Sequence, residues 1–405
     1  MSALTTDLQQ VRTHRIAIAG AFLVQGLLFI SLTLRLPQLK ELFELSELTL
    51  AGLMLLLVLL AGVGSVAAEL LARRRDSALS LRFALVLVAV GVLLIGQASR
   101  GEGSLPLLVV GMAVYGLGLG GNDAAANMQA VAVEHRLGRP VLPSFHAAWT
   151  AGGLVATLGA IALPDASIAT GSLVLAVFPI ALLRAPFLRR DHGAPSTAPD
   201  PGAVGVRWRT VWLVGLGLVV FYAVDTAVTA WGPIYLSSDD VFTDPPTSPA
   251  MYALATLPYL VAVLLARAVG DAATARFGAP TVVRVGAVTA FVGLAVVVFA
   301  PPSSWPVAIL GFFVVGLGVA AIAPLAFSAA ARVAGEGADP ALHRARVDAV
   351  VARFNQFNYA GALIGSVLTG ALGSSSLRVG FAVPMVLVLA LVPLARHFAT
   401  AGPAD

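Results

Sequence analysis

Twelve stretches of roughly 20 predominantly apolar residues follow one another along this chain, and about 20 is what a helix needs to cross ~30 Å of hydrocarbon. They fall at 16–36, 48–71, 82–99, 106–131, 144–163, 167–188, 211–236, 250–270, 281–300, 306–331, 349–371 and 377–396. Short polar or proline-bearing breaks such as Pro301-Pro302-Ser303-Ser304 separate most of them. Membrane strands would alternate apolar and polar over about 10 residues, whereas runs such as Leu53–Leu60 are unbroken. The expected fold class is therefore an all-α integral membrane protein with twelve transmembrane helices.

Composition agrees. Of 405 residues 58% are hydrophobic and 11% charged, against about 25% charged in soluble domains. The surplus apolar surface has to face lipid, which excludes a soluble enzyme, a nucleic-acid binder and a disordered scaffold. The net charge of +4 does not reopen the nucleic-acid reading, because the basic residues form no patch interleaved with aromatics. With no cysteine there is no disulfide framework or thiolate metal site, and no cofactor or metal is expected. The first apolar run, preceded by Arg12 and Arg15, is longer than the roughly 7–15 residues of a signal-peptide core.

Arginine placement sets the expected orientation. With the N-terminus inside, all but Arg35, Lys40, Arg100 and Arg378 of the 25 basic residues fall on the inner side. Both termini are then cytoplasmic. The longest inner loop, 189–209, is rich in Pro, Ala, Gly and Arg and reads as a flexible linker. It separates a first six-span segment, 1–188, from a second, 210–405.

Those segments repeat each other. A shift of 200 lays Pro106, Gly111, Gly116, Leu117 and Gly118 on Pro306, Gly311, Gly316, Leu317 and Gly318 without a gap. A shift of 209 lays Phe145, Ala151, Gly152 and Leu154 on Phe354, Ala360, Gly361 and Leu363. Two parallel-register halves joined by an inner linker resemble the major facilitator superfamily of transporters. Gly270-Asp271 followed by Arg276-Phe277-Gly278 is similar to that superfamily's loop motif, in which Asp271 and Arg276 would hold one gating state. The corresponding 72–76 segment, Ala-Arg-Arg-Arg-Asp, has lost the pattern. Asn122-Asp123 with Asn127 in the fourth span, and Phe145-His146 in the fifth, resemble a bacterial inner-membrane branch of the superfamily related to fucose-type permeases. The resemblance implies two pseudo-symmetric six-helix bundles, alternating access, and spans one and seven lining the solute path.

An ionisable group in hydrocarbon costs at least ~2.5–3.5 kcal/mol on insertion scales, so it marks a functional site by default. Asp123 lies well inside the fourth span and Asp225 about 14 residues into the seventh. Asp123 and Asn127 share a helix face, with Asn122 adjacent, and His146 enters the next span from the same side. These three titratable groups, Asp123, Asp225 and His146, are candidates for proton coupling. The competing reading has Asp123 holding helices together and His146 capping one.

Tyr222, Asp225, Thr226 and Thr229 form a polar stripe on the seventh span, with Gln25 and Thr33 a thinner counterpart on the first. Asn355, Asn358 and Tyr359 carry amides and a phenol into the eleventh, and Trp149 an indole into the fifth. With Asn122 and Asn127 these are the candidate solute contacts, suited to a hydroxyl-rich or zwitterionic molecule. The same amides can equally serve helix packing, at about 0.6 kcal/mol per contact. Gly116-Leu117-Gly118-Leu119-Gly120-Gly121 mimics a nucleotide fingerprint but follows no strand and lies inside a span. No ATP-binding loop is present, so a gradient has to supply the energy.

The expected function is a monomeric secondary transporter rather than an enzyme: proton-coupled symport of a small polar, sugar-like solute across a bacterial inner membrane. Its partners are the solute, protons and the lipid bilayer, with no nucleic acid. Proton-driven efflux is the alternative, weakened because Ala151-Gly152-Gly153 lacks the Gly-Pro pair usual in efflux members. A non-transporting receptor on the same fold is a more remote one.

Overall fold

Every apolar run is helical over most of its described residues in the computed structural model, which describes residues 2–137, 141–188, 206–335, 350, 354 and 356–399. Among these no strand occurs. Helices α1 (Ser2–Leu34), α2 (Leu36–Leu42), α3 (Glu47–Arg74), α4 (Ser77–Ala98), α5 (Leu105–Leu137), α6 (Leu142–Ala162) and α7 (Ile168–Leu182) are followed by α8 (Trp208–Thr226). A π-helical turn, Ala227–Trp231, joins α8 to α9 (Gly232–Leu236). Then come α10 (Pro249–Phe277), α11 (Ala279–Val298), α12 (Trp305–Val319), α13 (Ile322–Gly335), α14 (Gln356–Leu372), α15 (Leu377–Val388), α16 (Leu391–Leu394) and a final 3-10 turn, Ala395–Phe398.

Among the described residues ten helices are long and apolar enough to cross a membrane, against the twelve expected. The sixth expected span, 167–188, ends at Leu182 as a helix of 15 residues. Pro186 disfavours helix at the residue before it, and residues 183–188 are held by side chains from other helices. Arg82 of α4 donates to the carbonyls of Leu183 (2.9 Å) and Ala185 (3.1 Å). Gln129 of α5 receives Leu188 N–H at 2.8 Å and returns a bond to its carbonyl at 2.8 Å. The eleventh, expected over 349–371, is described as a helix of 17 residues from Gln356, and 349, 351–353 and 355 lie outside the described residues. A third difference is at the supposed loop motif. Gly270 to Phe277 continue α10, which stops only at Gly278, where φ is +78°.

Contacts divide the chain into two units, Met1–Ala194 with Ser248–Ala253, and Pro195–Thr247 with Leu254–Asp405. The linker expected at 189–209 lies outside the described residues from 189 to 205. In the first unit Ile18, Phe22, Leu81, Leu85 and Phe145 form part of one buried cluster. Outward-facing chains are apolar too: Val177 on α7 is 60% exposed and Val285 on α11 is 61% exposed, as expected where lipid is the solvent.

The repeated glycines do the same work in both units. A Cβ on Gly118 would collide with α4 at Val88, and one on Gly318 with α11 at Ala290. Gly152 lies against the Leu23 carbonyl of α1, and its repeat mate Gly361 against the Val219 carbonyl of α8. Small residues at these positions let helices approach closely without a hydrophobic driving force between them.

Two carboxylate sites inside the spans

In the first unit α5 runs unbroken through Asn122 and Asp123. Gly120 lies against the Ala61 carbonyl of α3, while Asn122 and Asp123 meet Gln25 of α1. Asn122 Nδ2 donates to Gln25 Oε1 at 2.9 Å, and Gln25 Nε2 donates to Asp123 Oδ1 at 3.3 Å. One turn on, Asn127 Nδ2 donates to the Asp123 carbonyl (2.9 Å) and to its Oδ1 (3.3 Å). Asp123 is 8% exposed and receives amide N–H groups from Gln25 and Asn127. Asn122 Oδ1 is buried without a hydrogen-bond partner, and such an acceptor costs about 1–3 kcal/mol until a donor reaches it.

His146, on α6, presents its ring edge-on to Phe22 at 5.4 Å, three residues from Gln25 on α1, and its carbonyl accepts the Thr150 hydroxyl at 3.2 Å. Trp149 packs tilted against Phe29 at 6.3 Å, where α1 and α6 close over Gly26.

In the second unit Asp225 is half-buried near the end of α8, immediately before the π turn. Such turns are rare and frequent at functional sites. Thr229 bonds back to the Asp225 carbonyl at 2.8 Å, and Trp231 Nε1 anchors the turn on the Ser366 carbonyl of α14 at 2.8 Å. Tyr259 of α10, fully buried, donates its hydroxyl to Asp225 Oδ1 at 2.5 Å. Arg267, about two turns along α10, is close enough to act electrostatically on both Asp225 and Tyr259. Its Nε donates to the Ala320 carbonyl at 3.3 Å, at the break between α12 and α13.

Thr226 is buried, and Tyr222 is half-buried with its ring edge-on to Phe221 at 4.9 Å. Asn358 and Tyr359 are half-buried on α14, which packs on α8 through Gly361 and Gly365. Asn355 lies outside the described residues, as does the side chain of Asp271. Arg276 is exposed, its guanidinium 5.3 Å above the adjacent Phe277 ring. Asp76, in the degraded counterpart of the loop motif, caps α4 by accepting Leu79 N–H at 2.6 Å. Among the described residues no group of three or more His, Asp and Glu comes together as a metal would require.

No protein-family model matches the chain. A transporter of Sinorhizobium fredii, itself uncharacterized, is 30% identical over 319 residues, 78% of this chain and 81% of the relative. An uncharacterized MFS-type transporter of Yersinia pestis is 27% identical over 400 residues, 96% of this chain and 95% of the relative. Among solved structures, the nucleoside transporter NupG superposes with a TM-score of 0.69 at 13% identity, covering 95% of this chain and 98% of NupG. FucP, in its outward conformation, gives 0.63 at 15% identity, covering 95% of this chain and 98% of FucP. The chain belongs to the major facilitator superfamily.

As a member of that superfamily it is an integral membrane transporter and not an enzyme. The sequence groups Asp123, Asn127 and Asn122 on one stretch of helix and sets Gln25 apart on the first span, and the structure brings these four into one hydrogen-bonded group. Sequence reasoning had found Asp225 but not Tyr259 or Arg267. Both lie on the eighth span, eight residues apart, and a phenol and a guanidinium within one apolar run were the available signal. Pro324 inside the tenth span was the signal for the break.

Proposed function

We propose that this transporter is a proton-coupled symporter of a small, hydroxyl-rich solute, built as two six-helix bundles, 1–188 and 210–405, joined by the cytoplasmic linker 189–209. Its twelve spans place both termini in the cytoplasm and work by alternating access. Asp225 is the principal proton carrier, with Asp123 and His146 as the other titratable groups. The observation that carries this reading is the Asp225–Tyr259 hydrogen bond of 2.5 Å beside a π turn within a span. A carboxyl placed in hydrocarbon at several kcal/mol of cost, paired to one phenol, is poised to exchange a proton.

The solute contacts are Gln25, Asn122, Asn127 and Trp149 in one unit, and Tyr222, Thr226, Thr229, Asn355, Asn358 and Tyr359 in the other. The unpartnered Asn122 Oδ1 calls for an O–H or N–H donor, which sugars and nucleosides supply. That solute class is supported by the architecture shared with a nucleoside transporter and with the fucose:proton symporter FucP of E. coli. Asp271 and Arg276 stabilise one gating state.

The solute is found by a thermal-shift screen of the purified protein against monosaccharides, nucleosides and drug-like amines, since a ligand of the native state raises its melting temperature. A hit among the sugars or nucleosides that accumulates in proteoliposomes under an inward proton gradient confirms the reading. Hits confined to apolar amines, expelled under the gradient, would replace it with efflux.

A further inference from the structure

Ala320 and Pro324 are four residues apart, the spacing of an α-helical hydrogen bond. Proline has no N–H, so the Ala320 carbonyl loses its intrahelical donor. The helix resumes one residue later, where Leu325 N–H meets the Ala321 carbonyl at 3.1 Å. In a bilayer an orphaned carbonyl has no water to turn to and costs several kcal/mol. Arg267 fills the vacancy through its Nε at 3.3 Å. The same guanidinium acts electrostatically on Asp225, whose carboxylate is held by Tyr259 on the same helix. A guanidinium is a planar fork of five N–H donors that stays charged in proteins, so it can serve a carbonyl and a carboxylate at once or favour one of them.

We propose that Arg267 is the positioning residue that couples the proton on Asp225 to the break in the tenth span. With Asp225 ionised, the guanidinium is drawn toward the carboxylate and its hold on Ala320 loosens. When Asp225 takes up a proton the attraction ends, Arg267 settles on the Ala320 carbonyl, and α12 and α13 adopt the angle that this bond fixes. Charge at one span thereby sets the geometry of another.

Among the described residues, the other charged groups on elements packed against α8 are too far away to substitute. Arg332 of α13, and Arg396 and His397 of the final turn, gather near Arg209 and Ala399 at the opposite end of α8, about 24 Å along the helix from Asp225. Arg378 of α15 is committed to the carbonyls of Val298, Ala300 and Val241. Helices α14 and α16 carry no charged residue.

This inference rests on the assignment of the proton to Asp225, and a label-distance measurement that needs no solute, read beside uptake, separates the two. The chain has no cysteine, so Leu310→Cys and Ser328→Cys, both exposed, introduce a spin-label pair about 27 Å apart along the broken helix. In nanodiscs between pH 5 and 9 the label distance of the otherwise native protein is expected to change with pH. In the Asp225→Asn background it is expected to stay at its low-pH value throughout. Arg267→Gln alone is expected to lower the melting temperature. Arg267→Gln with Pro324→Ala, which returns an N–H to the Ala320 carbonyl, should regain that temperature yet show no pH response.

A native pH response surviving in Asp225→Asn or in the double variant overturns the proposal. So does a native distance indifferent to pH, or a melting temperature of Arg267→Gln that Pro324→Ala leaves unrepaired. If gradient-driven uptake is lost in Asp225→Asn while the native distance ignores pH, the coupling route through Arg267 fails and Asp225 remains the proton carrier. If uptake persists in Asp225→Asn, the functional assignment itself has failed.

Discussion

In the first unit Asp123 rides on an unbroken helix, and two of the groups bonded to it, Gln25 and Asn127, are amides. In the second unit Asp225 precedes a π turn, its bonded partner is the Tyr259 phenol, and a guanidinium stands near. The 200-residue repeat sharpens the contrast. It sets Asn122, Asp123 and Ala124 of α5 against Ile322, Ala323 and Pro324, so the helix that carries the carboxylate in one half carries the break in the other. A duplicated scaffold has been specialised. The amide donors of Gln25 and Asn127 persist whatever the protonation state of Asp123, which fits the solute contacts proposed there. A nearby cation responds to loss of charge at Asp225, which suits the other to sensing a proton.

The strongest way to break this comparison is to neutralise each carboxylate in turn. Asp225→Asn is expected to lower gradient-driven accumulation at least about 100-fold, the equivalent of about 2.7 kcal/mol, while leaving solute exchange without a gradient in place. Asp123→Asn retains an oxygen acceptor for Gln25 and Asn127 and is expected to act mainly on solute affinity. Uptake and counterflow assays in proteoliposomes separate the two, and an exchange of these phenotypes would reverse the roles.

A second comparison concerns the scaffold. Leucine at Gly118 or at Gly318 is expected to destabilise its own unit to a similar degree, by about 1–3 kcal/mol or more for overpacking, read as matched losses in melting temperature. A loss at one position alone would mean that the repeat in sequence is not a repeat in packing. Comparable in energy is Tyr259→Phe, which removes one hydrogen bond to a charged group, about 1.5–3 kcal/mol. It is expected to reduce gradient-driven uptake by roughly tenfold and spare counterflow. Smallest is Thr229→Val, whose hydroxyl bonds only back to its own helix. Such back-bonds slightly destabilise helices, so the melting temperature should hardly change, and any loss should fall on solute affinity in counterflow.

The fold was legible because lipid imposes a long apolar run on each span, and the glycine repeat survives at packed interfaces where a Cβ would collide. The Asp123–Asn127 pair was legible because both residues lie on one helix, four apart. Partners from other helices carry no such local signature. Tyr259 reaches Asp225 from 34 residues away, and Arg267 reaches Ala320 from 53. The shortened sixth span had a visible cause in Pro186, but the Arg82 and Gln129 bonds that hold 183–188 were not readable from an apolar run. The π turn has no sequence marker at all in Ala-Val-Thr-Ala-Trp.

The central claim is that solute and proton move together and that Asp225 carries the proton. It is tested most directly by adding the solute identified in the thermal-shift screen to proteoliposomes loaded with a pH-sensitive dye. The account predicts that the solute acidifies the lumen of vesicles holding the native protein and leaves the Asp225→Asn vesicles unchanged. Equal acidification by both proteins, or solute entry into native vesicles with no proton movement, would contradict it.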